Sequence, residues 1–65
     1  MKKPNDRRRF AGAAEVVDHS MRANEYLKQM CAACEVGDKA ATQRALRLAV
    51  SELEMARTRI RMTRG

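Results

Sequence analysis

The feature that most constrains this chain is a single turn signal, Val36-Gly37-Asp38, between two long segments that favour helix. Glycine tolerates the left-handed backbone conformation that ends many helices, and an aspartate accepts hydrogen bonds from the unpaired amides of a first turn. The one proline of the chain, Pro4, precedes both segments and interrupts neither of them. The pattern predicts an all-α fold: helices over residues 6–35 and 39–63 around a turn at 36–38. So short a connection favours an antiparallel two-helix hairpin, which makes residues 1–65 a single domain.

The small size of the chain predicts self-association. A chain of 65 residues buries only about 60% of the surface that its unfolded form exposes, so its core is marginal without a metal, disulfides or a second copy. There is no tryptophan, and two cysteines are too few for a disulfide framework. We therefore expect a homo-oligomer, most simply a dimer in which two hairpins form a four-helix bundle.

The first predicted helix is amphipathic. At about 100° per residue, one broad apolar side gathers eight residues, and a second row widens that side to about half of the cylinder. The eight residues are Phe10, Ala13, Val17, Ser20, Met21, Leu27, Cys31 and Cys34, and the second row is Val16, Ala23 and Met30. The first set is expected to face the second helix.

The second predicted helix is two-sided. One side of this helix carries a heptad pattern that is expected to pack within the hairpin: Leu46, Ala49, Val50, Leu53, Ala56 and Ile60. We call its strict seven-residue series, Leu46, Leu53 and Ile60, the Leu46 stripe. Small residues at core-facing positions of the two helices, Ala13, Ser20, Ala49 and Ala56, are expected to let the two backbones approach closely. A second series with the same repeat, the Leu48 stripe, lies about 200° away around the helix. It consists of Leu48, Met55 and Met62. One antiparallel neighbour covers one stripe, so the Leu48 stripe is predicted to bind a protein partner.

The two cysteines and the histidine indicate neither a redox site nor a metal site. In Cys31-Ala-Ala-Cys34 the two thiols lie at the end of a helix, where the dipole disfavours a thiolate, whereas redox CxxC pairs begin helices. Zinc needs four ligands, and His19 is twelve residues away. Two chains together offer four thiolates, but the simpler interpretation is that both cysteines are small apolar core residues. His19 is expected to be a solvated surface residue, and no metal or cofactor is predicted.

Both ends of the chain are basic. Residues 1–9 form an arm with a net charge of +4, and residues 57–65 carry four arginines and no acid. An antiparallel hairpin brings these ends to one pole, where guanidinium groups suit phosphate contact. Candidate nucleic-acid-binding residues are Arg7, Arg8, Arg9, Arg57, Arg61 and Arg64. Arginine at the end of a helix also complements its dipole, so this charge has a structural explanation as well.

The function class follows from these patterns. The chain shows no catalytic constellation and no apolar run of about 18 residues, so we expect neither an enzyme with a small-molecule substrate nor a membrane protein. A cytoplasmic protein is expected, because the cysteine usage suits a reducing compartment. The leading interpretation is a small regulatory or adaptor protein that acts through helix–helix packing with itself and a protein partner. The alternative is an arginine-rich helical protein that binds RNA or DNA through its phosphates.

Overall fold

The computed structural model describes residues 10–62, which form two helices and no strand. Helix α1 spans Ala13–Glu35 and helix α2 spans Lys39–Met62. The two helices pack against each other along their lengths as an antiparallel hairpin. The predicted all-α hairpin is therefore confirmed.

The turn has the structure that its sequence predicts. Gly37 has a φ of 77°, in the left-handed region, and its amide donates to the carbonyl of Cys34 at 3.0 Å. The amide of Asp38 donates to the carbonyl of Ala33 at 2.9 Å, which completes a Schellman motif. The Asp38 carboxylate then accepts from the amide of Ala41 at 3.0 Å and caps α2. One glycine and one aspartate thus end α1 and start α2.

The predicted start of α1 is wrong within the described residues. Residues 10–12 form a turn, in which the amide of Ala13 donates to the carbonyl of Phe10, and the helix begins at Ala13. The reason is Gly12, which precedes the helix with a φ of 86° and so interrupts a right-handed backbone. Residues 6–9 of the predicted helix lie outside the described residues. Helix α1 ends at Glu35 and α2 begins at Lys39, the residues at which the turn signal predicts these ends. Residue 63, the predicted end of the second helix, lies outside the described residues.

Small side chains form the contact between the helices. Within residues 10–62, the buried residues are all alanines: Ala13, Ala23, Ala45, Ala49 and Ala56. Ala23 of α1 is 2% exposed and Ala49 of α2 is 1% exposed. Alanines on both sides let two helix backbones approach closely. The core of the hairpin is therefore a narrow seam of methyl groups.

Ala49 and Ala56 of the predicted packing pattern lie in this seam as expected, whereas the Leu46 stripe, contrary to expectation, does not. Leu46, Leu53 and Ile60 are 45%, 47% and 51% exposed. The alanine row runs between the two apolar stripes of α2, and each stripe flanks it on one side. Hydropathy favours the leucines as core residues. The helices approach each other closely, however, and only small side chains such as alanine fit between them.

The packed side of α1 is also rotated from its predicted position. Val16, Tyr26 and Met30 are half-buried along with the buried Ala23, whereas Val17 and Met21 are exposed. The residues that were expected only to widen the apolar side thus provide the contact with α2. The residues that were expected to face α2 lie mostly to one side of the seam.

The hairpin is a single layer of helices. Its Cα atoms extend only 9 Å along the thinnest principal axis. Stable domains generally consist of at least two packed layers around one core. Both broad faces of this layer are therefore accessible to other molecules, and they are where binding surfaces are to be sought.

Candidate functional site

The Leu48 stripe lies on one face of the hairpin, beside His19. Met55 and Met62 line a shallow groove of about 420 Å³ together with His19 of α1 and with Arg59. A second groove of about 520 Å³ continues past Leu48 towards the start of α2 and is lined by Arg44 and Arg47. The three side chains of the stripe are 41–71% exposed. The structure thus leaves the predicted partner-binding residues accessible and surrounds them with arginines.

The Leu46 stripe lies on the opposite face. The rotation of about 100° per residue places Ser20 and Leu27 of α1 on the side of the seam that faces away from His19. The same rotation places the Leu46 stripe and Val50 of α2 on that side. Leu27 is 36% exposed, and Val50 is 45% exposed. We call this surface the Leu46 face: Ser20, Leu27, Leu46, Val50, Leu53 and Ile60.

A polar cluster crosses the seam on the face of the Leu48 stripe. Oε1 of Glu52 lies 2.7 Å from Nδ1 of His19 and 3.2 Å from Nε of Arg22. An ionised carboxylate only accepts hydrogen bonds, so in the contact with Glu52 it is Nδ1–H of His19 that donates, and Nη2 of Arg22 lies 3.2 Å from the same nitrogen. The hydrogen bond from His19 lowers the pKa of Glu52; burial opposes this effect, and Arg22 adds to it. The cluster joins α1 to α2 and fixes their register.

The position of His19 differs from its prediction. Its side chain is only 16% exposed and is bonded across the hairpin, so the expected solvated surface residue is instead part of the helix–helix contact. Val16, His19, Ala23, Tyr26 and Met30 follow one another at spacings of three and four. This spacing is the signal in the sequence that predicts a seam position for His19.

The cysteines are exposed in the hairpin. Cys31 and Cys34 are free thiols on the surface of the last turns of α1, so the expectation that they are core residues is wrong for the hairpin alone. Among residues 10–62, no three His, Cys, Asp or Glu side chains are grouped so that they could hold a metal ion.

The basic pole is only partly described. Arg57 and Arg61 are exposed near the end of α2, and Arg57 pairs with Glu54 at 3.7 Å, one turn earlier. A Cβ on Gly12 would lie 3.8 Å from Cδ of Arg59, so α2 ends beside the start of α1. The other candidate phosphate-binding residues, Arg7, Arg8, Arg9 and Arg64, lie outside the described residues.

Neither α1 nor α2 is long and apolar enough to cross a membrane. The chain matches no protein-family model, no curated protein and no solved structure. The surfaces of the hairpin are therefore the basis on which its function is inferred.

Proposed function

We propose that this chain is a small non-enzymatic adaptor that acts through helix–helix packing, with a second copy of itself and with a protein partner. One observation carries the proposal: every buried residue of the described hairpin is an alanine, and the large aliphatic residues of α2 lie half-exposed on two opposite faces. A fully buried aliphatic side chain contributes about 1.5–3 kcal/mol, so covering the exposed half of each contributes roughly 1 kcal/mol. Covering either face with another molecule is therefore favourable in free energy.

The Leu46 face is assigned to self-association. It takes residues from both helices, and it offers five large aliphatic side chains that are 36–51% exposed: Leu27, Leu46, Val50, Leu53 and Ile60. Two such faces packed together give two layers of helices around one core, which is the arrangement of a four-helix bundle. We expect a dimer at micromolar concentration.

The Leu48 stripe is assigned to the protein partner. In a dimer formed through the Leu46 face, this stripe remains on the outside of the bundle. Arg44, Arg47 and Arg59 line the two grooves along it, and Glu54 is the acid among the lining residues. Such a surface suits the apolar side of an amphipathic helix whose flanks are acidic. Methionines at two of the three stripe positions adapt to partners of different shape.

The test compares two variants that each add one negative charge. Met55→Glu places the charge on the Leu48 stripe, and Ala32→Glu places it at an exposed position of α1 away from both faces. The immobilised chain is incubated with native lysate that has been treated with nuclease. Proteins that bind the wild type and Ala32→Glu but not Met55→Glu support the assignment. Equal capture by all three proteins contradicts it.

Nucleic-acid binding is the second candidate, and the arginine pole favours it. Arg57, Arg59 and Arg61 lie within five residues at the end of α2, next to the start of α1. Binding through phosphates falls steeply with salt, because each phosphate contact on duplex DNA contributes about 0.9 to the slope of log affinity against log salt. Mixed-sequence duplex DNA and structured RNA are titrated at about 50 mM salt, where electrostatic attraction is strong. If neither binds, this candidate is excluded.

A further inference from the structure

We propose that a second copy covers the Leu46 face in one defined symmetry: the two turns lie at opposite ends of the bundle, and the two-fold axis passes beside Ser20 and Leu53. The inference rests on the proposed self-association and adds its register. In this arrangement α1 packs antiparallel to α1 of the second copy, and α2 packs antiparallel to its own copy. The position of the two-fold axis is inferred from the residues that would face each other on each helix.

When two copies of α2 are packed antiparallel with the two-fold axis at Leu53, apolar residues of one copy face apolar residues of the other. Leu53 then faces its own copy, and Leu46 faces Ile60 of the second copy. Shifting the axis by one turn, to Val50, places Leu53 against Arg47 and Leu46 against Glu54. The first register packs leucine and isoleucine on one another and leaves Arg57 as the charge on this face, opposite Ala49 of the second copy, whereas the second register pairs both leucines with charged residues. The Leu46 stripe is therefore self-complementary in one register.

In α1 the match comes from alternating large and small residues. Reversal about Ser20 places Leu27 against Ala13 of the second copy. Ser20 faces its own copy, and so small a side chain lets the two α1 helices approach closely. Large residues thus meet small ones on α1, while large residues meet one another on α2.

The two helices agree on the position of the axis. His19 and Glu52 are joined by a hydrogen bond across the hairpin, so these residues lie at the same level. Ser20 and Leu53 are each one residue further along their helices, in opposite directions. They therefore differ in level by about 3 Å at a rise of 1.5 Å per residue. One two-fold axis between them satisfies both helices.

The charge distribution favours turns at opposite ends. Residues 57–62 at the end of α2 contain three arginines and no acid. A dimer with both turns at the same end would bring two such poles together. With opposite ends, the poles are separated by about the length of α2, which is roughly 36 Å for 24 residues. At that distance their repulsion is screened at physiological salt.

Disulfide trapping tests the register. The background variant is Cys31→Ser with Cys34→Ser, which removes the native thiols. Ser20→Cys is a nearly isosteric change that places a thiol beside the axis, and Asn24→Cys one turn later is the matched control. The Cα atoms of two disulfide-bonded cysteines lie about 4.4–6.8 Å apart. In the proposed register, the two copies of residue 24 would be separated by about 12 Å along the direction of the helices. Each variant is checked for helical content and sedimentation before oxidation.

The expected result is a covalent dimer from Ser20→Cys and little from Asn24→Cys. In addition, Leu46→Cys mixed with Ile60→Cys is expected to give a mixed covalent dimer in preference to either homodimer. If the protein sediments as a dimer but Asn24→Cys cross-links more than Ser20→Cys, the register is wrong while the proposed self-association stands. If the folded background variant and the wild type both sediment as monomers, the inference and the proposed self-association both fail.

Discussion

Replacing Ala49 by leucine tests whether the alanine seam is the true contact between the helices. Ala49 is 1% exposed, and Ala23 on the facing helix is 2% exposed, so neither side leaves room for a larger group. Leucine adds three carbon atoms at a position where two backbones approach closely. The helices must then separate or the side chain must take a strained rotamer.

The expected cost is about 1–3 kcal/mol, the usual range for overpacking a filled contact. Intrinsic helix propensity contributes little, because alanine and leucine are both strong helix formers. The matched control is Ala32→Leu, the same substitution at an exposed position of α1, and we expect it to change stability by less than about 0.5 kcal/mol. The difference between the two variants isolates the effect of the seam.

The assay is urea unfolding followed by far-ultraviolet circular dichroism, with all proteins at the same protomer concentration. The concentration must be matched because association contributes to the apparent stability. A lower midpoint for Ala49→Leu than for Ala32→Leu supports the alanine seam. Equal or higher stability for Ala49→Leu would refute the reasoning, because it would mean that the helices meet through other residues.

Three further predictions concern the cap, the polar cluster and the Leu48 stripe. Asp38→Ala removes the acceptor for the amide of Ala41 and should cost about 1 kcal/mol in urea unfolding, whereas Asp38→Asn should cost less. The folded-state pKa of Glu52 is below its ordinary value of 4.5, so its contribution to stability is present above that pH and is lost as the pH falls through the lower folded-state value. Melting temperatures recorded from pH 6 to pH 3 should therefore fall more for the wild type than for Glu52→Gln, and parallel curves would contradict this assignment. Met55→Glu should keep the helical content and the sedimentation of the wild type, because it lies on the face opposite the proposed dimer contact; dissociation would show that this face mediates self-association.

The turn could be predicted from the sequence because its signals are local. Gly37 supplies the left-handed residue, and Asp38 supplies the cap, whatever the helices pack against. These two residues were enough to predict where α1 ends and where α2 begins. The predicted start of α1 at residue 6 was wrong, because Gly12 has a positive φ that interrupts the right-handed backbone just before Ala13.

The packed side of each helix was predicted only in part: Ala13, Ala49 and Ala56 were expected at core-facing positions and are buried, whereas the leucines expected beside them are half-exposed. Hydropathy ranks Leu46 and Leu53 above alanine, but a seam between closely spaced helices requires small side chains. The spacing of Ala45, Ala49 and Ala56 midway between two apolar stripes is the signal for such a seam. The pairing of His19 with Glu52 depends on which sides face each other, so it follows only once the seam is known.

The most direct test of the account is the mass of the folded protein in solution. Sedimentation equilibrium at micromolar concentration, together with thermal melting followed by circular dichroism, measures association and folding on the same sample. The account predicts a species of twice 7.4 kDa whose melting temperature rises with concentration, because folding and association are coupled. A sharply melting 7.4 kDa species, with a melting temperature independent of concentration, would contradict it.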